Sequence, residues 1–318
     1  MLQFVLRRLA QAVLTVLGIM LLTFVLFRVV AGDVSANYVN PKLGKQAKET
    51  WMHKHGLDKP WIADTRFSPW QRKFYDSQFF GHLRNSVTFE NRSYGTDEKL
   101  TDIIQQKARY SLAITVPGMA LGWLSALGIS CLVAYYRGRL IDKGVVFLAV
   151  LGMCVPYLAY MIGGQWIMFQ VHPPAAWGLA NKYNIFLPVA IGLVAGLGSG
   201  VRFYRTIILD EIHRDYVRTA RAKGVPLPTI LFKHVLKNCM LPILTQLILA
   251  IPFLIMGALL LEQFFGIPGL GGLLLASISA GDVPIISGLV FLTAVVDVLA
   301  LLLTDVLYAV FDPRIRLQ

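Results

Sequence analysis

The chain has 318 residues, of which 56% are apolar and only 15% are charged, and its mean hydropathy is +0.59. A soluble domain carries about a quarter charged residues, so this composition excludes an ordinary soluble protein and predicts an integral membrane protein. The net charge of +12 comes mostly from basic residues that flank apolar runs. That distribution is typical of charges that set membrane topology, so nucleic acid is not predicted as a partner.

The sequence carries none of the short motifs of common catalytic sites. A Gly-x-Ser-x-Gly elbow, a His-Glu-x-x-His helix and a Gly-x-x-x-x-Gly-Lys-Ser/Thr phosphate loop are all missing. Cys131, Cys154 and Cys239 lie in or beside apolar runs without metal-ligand spacing, which predicts small buried hydrophobic residues. No catalytic residue, metal site or bound cofactor is predicted, and ATP hydrolysis by this chain is not expected.

Residues 1–30 are predicted to form a short cytoplasmic tail and a first span. Arg7 and Arg8 precede a mostly apolar run that reaches Val30, and about 20 such residues are enough to cross a bilayer. A cleaved signal peptide is the alternative interpretation. It is disfavoured because no small-x-small cleavage site follows the apolar run.

Residues 31–107 form the large polar segment and are predicted to be an extracytoplasmic loop or cap. Its many aromatic residues are typical of anchors at a membrane surface, or of a compact cap that contacts a partner. His53 and His55 are interpreted as ordinary solvated histidines, because the sequence offers no third metal ligand. Asn91–Ser93 matches the N-glycosylation pattern, which is a weak signal on its own.

Residues 108–318 are predicted to form a core of five more spans, within an all-α integral membrane protein. The predicted spans are Tyr110–Tyr136, 144–170, 184–209, 241–262 and 284–310. Pro156 predicts a bend, and Gly192, Gly196 and Gly200 at four-residue spacing predict a close helix–helix contact. Basic residues concentrate in the turns on one side, so six spans place both termini in the cytoplasm.

A polar segment, 210–240, separates the fourth and fifth predicted spans and is rich in Lys and Arg. At helical spacing Val217, Ala220 and Gly224 share one face, which predicts a small, smooth surface that another backbone can approach. Two prolines then predict a break, followed by an amphipathic helix lying on the membrane surface. Spacing alone leaves two interpretations open: a loop that only sets topology, and a docking surface.

Three carboxylates, Glu262, Asp297 and Asp305, lie within the predicted spans. Ionisable groups at membrane depth are costly, so each is expected to face a cavity or a partner. Asp297 is the deepest and is predicted to line a solute path. Glu262, at the outer end of the fifth span, either lines that path or contacts lipid headgroups. Asp305 is expected to pair with Arg314 or Arg316 near the inner surface.

The segment between the fourth and fifth spans resembles a known coupling loop. Residues Asp215–Gly224, followed by Asn238 and Leu241–Pro242, are similar to the cytoplasmic EAA loop of permeases in ATP-binding-cassette (ABC) importers. Four further motifs of that family occur in the expected order: Leu6–Leu9, Gly56–Pro60, Glu262–Gly271 and Asp312–Arg316. Nearly the whole chain thus resembles the B-type permeases of the dipeptide, oligopeptide and nickel importers.

This resemblance implies a type I ABC importer permease fold of six transmembrane helices in the bacterial inner membrane. The EAA loop would dock on a cytoplasmic ATPase, and its matching residues are Asp215, Val217, Arg218, Ala220, Arg221, Gly224 and Pro242. The implied partners are a homologous C-type permease subunit, two ABC ATPase subunits that carry ATP and Mg²⁺, an extracytoplasmic substrate-binding protein, and membrane lipids.

The implied solute is a peptide or peptide-like molecule, moved inward by alternating access. Nickel complexes, glutathione or another small solute are the alternatives within the same family. Two other classes remain as competing hypotheses, a membrane-embedded enzyme and a passive channel or scaffold. An enzyme would show turnover without an ATPase partner, and a channel or scaffold would not co-purify with ATPase subunits.

Overall fold

The computed structural model describes residues 2–30, 32–40, 42, 44–171, 185–256 and 258–311. Within these ranges the regular elements are helices, apart from one isolated bridge between Arg92 and Lys99. The all-α prediction is therefore confirmed. The predicted outer loop that begins at His172 and the closing Asp312–Arg316 motif lie outside the described residues.

The described part of the chain contains fourteen α-helices. They are α1 Leu2–Phe24, α2 Gly44–Lys54, α3 Gln78–Val87, α4 Leu100–Tyr135, α5 Leu140–Cys154, α6 Tyr157–Val171, α7 Phe186–Ile212, α8 Asp215–Ala222, α9 Leu227–Thr229, α10 Leu236–Leu249, α11 Ile251–Met256, α12 Leu259–Phe264, α13 Leu270–Ala280 and α14 Val283–Phe311. π-helical turns extend α1 over Val25–Val30 and join α9 to α10 over Ile230–Val235. Single 3-10 turns lie at Val34–Asn37 and Arg72–Tyr75.

Five helical stretches of the described part are long and apolar enough to cross a membrane. They are Leu6–Phe27, Leu100–Tyr135, Phe186–Ile212, Leu227–Phe264 and Val283–Tyr308. A sixth span results when α5 and α6 are counted together, although the two helices are bent by 99°. The six predicted spans are thus recovered, and the third of them is broken.

Pro156 lies at the bend between α5 and α6. Proline has no N–H to donate and disfavours helical geometry in the preceding residue. Val155 is accordingly extended, with φ −79° and ψ 121°. The carbonyl of Gly152, which residue 156 would otherwise have bonded, accepts instead from the Tyr160 hydroxyl at 2.8 Å. The predicted bend is confirmed, and its polar groups are satisfied locally.

The described chain divides into two compact units, which differ from the domains predicted from the sequence. The first unit contains Met1–Arg109 together with Gly269–Leu299. The predicted five-span core includes residues 269–299, whereas the structure groups them with the outer segment. The second unit contains Tyr110–Pro268 and Ala300–Gln318.

A buried carboxylate helps to explain why residues 269–299 group with the outer segment. Asp282, in the turn between α13 and α14, is 6% exposed. It accepts a hydrogen bond from the Ser93 hydroxyl at 2.5 Å and another from the Tyr94 backbone N–H at 3.1 Å. The Asn37 side chain adds a bond to the Ala280 carbonyl at 3.1 Å. Polar bonds thus tie the outer segment to the α13–α14 turn.

The aromatic residues of the outer segment divide between an internal cluster and the surface. Trp51 stacks on Tyr38 with ring centroids 5.5 Å apart, and His55 and Tyr94 pack around the indole. His55 is therefore a packing residue, and no group of three metal-binding side chains occurs in the described ranges. Trp70 lies outside this cluster and is 95% exposed on the surface.

The glycosylation-like motif lies inside the first unit. Asn91 is 4% exposed, and its side-chain amide donates to the Ser86 hydroxyl at 3.3 Å. A glycan would need this amide in open solvent, so the folded chain cannot carry one there. The weak sequence signal is thereby rejected.

The second unit is organised around α7, where α5 approaches closely. A Cβ placed on Gly198 would lie 2.5 Å from the Ala149 carbonyl oxygen. Gly200 is also crowded, because its Cβ would lie 2.9 Å from that of Ala126. Gly192 and Gly196 are not crowded. A Cβ on Gly192 would have its nearest neighbour at 3.9 Å, and a Cβ on Gly196 would meet nothing within 4 Å. The predicted contact is therefore wrong for those two glycines.

Candidate functional site

The first part of the candidate site is α8, whose ends are set by the residues that flank it. Arg214 before the helix is extended, with φ −67° and ψ 151°, and Asp215 places a carboxylate in the first turn, where the helix dipole favours it. Beyond the last residue, Gly224 has φ +76°. Its N–H bonds the Arg221 carbonyl at 2.9 Å, and the Val225 N–H bonds the Ala220 carbonyl at 3.2 Å. This pair of bonds is a Schellman motif, which ends a helix at a left-handed residue.

The smooth face predicted for this segment is not formed. Val217 is 1% exposed and belongs to the apolar core of the second unit, against which Ala220 also packs. Gly224 lies outside the helix, and a Cβ on it would meet nothing within 4 Å. Glycine is required there by its backbone conformation, because L-residues are strained at positive φ. The three residues therefore anchor and end the helix rather than present one surface.

The outward side of α8 is polar. The Asp215 and Arg218 side chains are 95% and 76% exposed, and their ends are 3.4 Å apart. Such an exposed pair contributes little to stability. Arg221 is exposed as well. The residues of α8 that resemble the EAA loop thus form two groups, one packed against the core and one exposed.

Tyr216 fastens α8 to its neighbours. Its ring packs against the apolar core of the second unit, its hydroxyl is buried without a hydrogen-bond partner among the described residues, and burial raises the pKa of the phenol to about 12. The same core contains Val235 and Cys239, so the tyrosine packs the segment against the start of the next span. Sequence reasoning missed this residue, because an isolated tyrosine beside basic residues carries no periodic signal.

The stretch after the prolines is not a separate surface helix. Pro226 precedes α9 and Pro228 lies in its first turn, so the predicted fresh start is confirmed. A π-helical turn then leads directly into α10, with Leu231 and Val235 buried. Phe232, next to Leu231 in the chain, is 62% exposed. Pro242 lies within α10 itself. The residues that match the EAA loop therefore extend from α8 into the following span.

The second part of the candidate site is a cavity of about 740 Å³ in the second unit. Its lining contains no Asp, Glu, Lys or Arg, and its polar groups are hydroxyls and amides such as Thr115, Ser199 and Gln246. The open glycines Gly192 and Gly196 lie along its wall. The glycine pattern on α7 therefore marks a cavity surface as well as a helix contact.

Glu262 does not face this cavity. Its side chain is 1% exposed and accepts a hydrogen bond from the Ser111 hydroxyl at 2.6 Å, which joins α12 to α4. The neighbouring Leu261 lines the cavity instead. Burial of this carboxylate also excludes the predicted alternative of contact with lipid headgroups.

Asp297 has the opposite environment, in the first unit. Its side chain is exposed on α14, within the apolar span Val283–Tyr308. Among the described residues it forms neither an ion pair nor a side-chain hydrogen bond. A bare carboxylate at this depth requires a water-filled path or a partner outside this chain.

The chain has several apolar spans and a cavity lined by uncharged residues. The helix α8, polar on its exposed side, lies between two of the spans. These features are those of a polytopic membrane transport subunit. The chain belongs to the family of binding-protein-dependent transport system inner membrane components, which it matches over residues 118–317. The N-terminal region of the same class of membrane component matches residues 1–115.

Curated relatives align over nearly the whole chain. The dipeptide transport system permease protein DppB of Lactococcus lactis is 30% identical, over 100% of both chains. The oligopeptide transport system permease protein AppB of Bacillus subtilis is 28% identical, over 98% of this chain and 99% of the relative. The di/tripeptide transport system permease protein DppB of Pseudomonas aeruginosa is 27% identical, over 100% of both.

The chain is therefore a multi-pass inner-membrane permease subunit of an ABC importer and not an enzyme. A binding-protein-dependent system of this kind supplies an ATPase and a substrate-binding protein as partners. The resemblance seen in the sequence is thereby confirmed at the level of the family.

Proposed function

We propose that the chain forms half of the translocation path for peptides or peptide-like solutes. The three relatives described above are all named as oligopeptide, dipeptide or di/tripeptide permeases. The lining of the cavity also supports this solute class, because it mixes apolar and uncharged polar groups. A translocation path must bind its solute weakly enough to release it. An uncharged lining does not bind a charged side chain of a peptide tightly. Nickel complexes, glutathione or another small solute are the alternatives.

We also propose that α8 is the element that binds the cytoplasmic ATPase. The observation that carries this proposal is the division of the helix into a packed side, with Val217 and Tyr216, and an exposed side, with Asp215 and Arg218. An element fixed to the core of its own unit and accessible on one face transmits a partner's movement to that core. Of the remaining matched residues, Ala220 packs against the core and Gly224 ends the helix, whereas Arg221 is exposed and Pro242 lies in α10.

The complete importer is proposed to contain a homologous C-type permease subunit and two ATPase subunits, which hold ATP and Mg²⁺. An extracytoplasmic binding protein delivers the solute. Both termini of this chain lie in the cytoplasm, so reporter fusions at residue 75 are expected to read outside and those at residue 225 inside. The opposite pattern would reject this topology and, with it, the placement of α8 against a cytoplasmic ATPase.

Asp297 is the carboxylate that we propose for the solute path. Its exposure and the absence of a side-chain partner in the described ranges support this assignment, whereas Glu262 is enclosed against Ser111. Replacement of Asp297 by Asn keeps the size and polarity of the side chain but removes its charge. We expect the variant to insert normally and to change the relative uptake of cationic and anionic peptides.

The ATPase-binding role is tested by adding bulk to the exposed side of α8. Ala222→Trp places a large ring at an exposed position of this helix, and Leu148→Trp places the same ring at an exposed position of α5. We expect the first variant to insert but to lose co-purification with the ATPase and ATP-dependent tripeptide uptake. The second should retain both. Normal uptake by a well-expressed Ala222→Trp variant would reject the docking role.

The solute is tested on the intact importer. Mass spectrometry of the ligand retained by the cognate binding protein is expected to find peptides of mixed sequence. A metal chelate or a glycan would reject the peptide assignment while leaving the ATPase-binding role in place.

A further inference from the structure

A second, smaller pocket lies at the root of α8, in the same unit as the cavity but distinct from it. Its volume is about 290 Å³, and it is bounded by the end of α4, the end of α7 and one flank of α8. Arg137, His213, Arg218 and Arg221 contribute to its lining, and the described residues of the lining include no carboxylate. Arg218 is paired with the exposed carboxylate of Asp215 at 3.4 Å. The pocket therefore brings three arginines together, of which only Arg218 has an acidic partner in the described ranges.

Other arginines nearby do have carboxylate partners. Arg205 bonds both oxygens of Asp142 at 2.8 and 3.0 Å, and Arg214 lies 3.6 Å from Glu211. Within the described part of the chain, neither Arg137 nor Arg221 has a carboxylate at ion-pair distance. The contrast indicates that Arg137 and Arg221 remain available to an external anion.

His213 holds Arg137 at the pocket. One ring nitrogen, Nδ1, lies 2.6 Å from the Leu209 carbonyl, so this nitrogen carries the proton and donates. The other nitrogen, Nε2, then has a free lone pair and accepts from the Arg137 guanidinium. The arginine is thereby positioned by a neutral neighbour, and the guanidinium keeps its full charge for a ligand.

The floor of the pocket is apolar and buried. Ala134, Ile212 and Val217 are between 1% and 8% exposed. Charges above a low-dielectric floor attract an anion more strongly than the same charges in open water. Arginine in particular matches the geometry of phosphate oxygens through its planar fork of N–H donors.

The surroundings identify the source of the anion. The pocket lies where the spans Leu100–Tyr135 and Phe186–Ile212 end, which is the depth of lipid headgroups. Leu132 and Leu140 lie within three residues of the lining along the chain and are 51% and 86% exposed, and apolar side chains exposed at a span end are expected to face lipid. We propose that this pocket binds the phosphate of an anionic membrane phospholipid. The bound headgroup braces α8 against the ends of α4 and α7.

The full chain, purified in detergent, tests this proposal. Thermal unfolding is followed while phosphatidylglycerol, phosphatidylcholine or inorganic phosphate is added, and the concentration giving half of the stabilisation is measured. We expect phosphatidylglycerol to stabilise the chain and the other two to have little effect. Arg137→Gln should weaken the response to phosphatidylglycerol about tenfold or more, because it removes a charge-assisted hydrogen bond. The response of Arg137→Lys to phosphatidylglycerol should lie between those of the parent chain and Arg137→Gln.

Arg139→Gln is the matched control. It lies two residues away, loses the same charge, and its side chain packs over the Tyr136 ring at 5.5 Å rather than lining the pocket. Its response to phosphatidylglycerol should remain that of the parent chain. If Arg137→Gln unfolds on purification, the comparison of Arg137→Lys with Arg139→Gln decides the question.

Three outcomes would overturn the proposal. Equal stabilisation by inorganic phosphate would assign the pocket to a free anion. Equal losses in the Arg137 and Arg139 variants would reduce it to a diffuse basic surface. No preference for phosphatidylglycerol, together with loss of ATPase co-purification in Arg137→Gln, would assign it to the partner protein. The Ala222→Trp experiment is independent of all three results, because it adds bulk outside this pocket.

Discussion

Gly196 and Gly198 lie two residues apart on α7, yet the structure uses them in opposite ways. At Gly198 the backbone of α5 approaches so closely that a Cβ would lie 2.5 Å from the Ala149 carbonyl oxygen. At Gly196 a Cβ would meet nothing within 4 Å, and the residue lies along the wall of the cavity. Small residues on a membrane helix therefore have two separate functions, to admit a neighbouring backbone or to keep a space open.

The largest effect is expected from Gly198→Ala, which tests the packed side of this comparison. The added methyl group is attached to the backbone of α7, and the Ala149 carbonyl oxygen belongs to the backbone of α5. The contact can therefore be relieved only if α5 or α7 shifts. Overpacking of this kind costs about 1–3 kcal/mol. We expect the free energy of unfolding to fall by that amount, measured by denaturant titration of the chain in detergent.

Gly196→Ala is the control for this prediction, since it makes the same change on the same helix. It should leave the free energy of unfolding unchanged or raise it by up to about 1 kcal/mol, because alanine is the better helix former. Equal destabilisation by the two variants would show that α7 tolerates no added bulk at all. The distinction between packed and open glycines would then be lost.

The sequence predicted the spans well but not the use of the individual glycines. Spans follow from runs of apolar residues and from basic residues at their ends, and these are local features of the chain. Whether Gly196 or Gly198 meets α5 depends on the rotation of α7 against a helix about 50 residues earlier. A four-residue spacing carries no information about which neighbour lies on that side.

The same limit applies to the candidate site. The coupling segment could be located by its resemblance to a known loop, and the structure forms a helix there as expected. The side of the helix that faces inward could not be located, because Val217 and Ala220 fit a docking surface as well as a buried anchor. Glu262 and Asp297 looked alike in the sequence, and only their three-dimensional neighbours separate an enclosed carboxylate from an exposed one.

A third use of glycine predicts a smaller effect. Gly224 has open space around it, but its φ of +76° is strained for other residues by about 1–2 kcal/mol. We expect Gly224→Ala to loosen the end of α8 and reduce ATP-dependent uptake, with little change in global unfolding. Gly224→Asn should retain most activity, since asparagine tolerates the left-handed region better than alanine does.

This pair of variants separates backbone conformation from surface shape. Asparagine is larger than alanine, so a surface that required smoothness at Gly224 would be damaged more by Asn than by Ala. The measurement is initial uptake of a tripeptide at equal membrane expression. Greater activity in the alanine variant than in the asparagine variant would contradict the conformational role and restore the predicted smooth face.

The smallest effect on stability, and the most direct test of the open side, is expected from Gly196→Leu. A Cβ on Gly196 meets nothing within 4 Å, and the residue lines the cavity of about 740 Å³, so we expect the leucine side chain to extend into the cavity and to leave the free energy of unfolding unchanged or slightly raised. Uptake of longer peptides should fall more than uptake of dipeptides, because the side chain narrows the path without closing it. Val194→Leu, on an exposed part of α7 that does not line the cavity, is the matched control and should transport both normally. Unchanged discrimination by peptide length in Gly196→Leu would mean that the solute passes elsewhere, and the cavity would lose its assignment as part of the path.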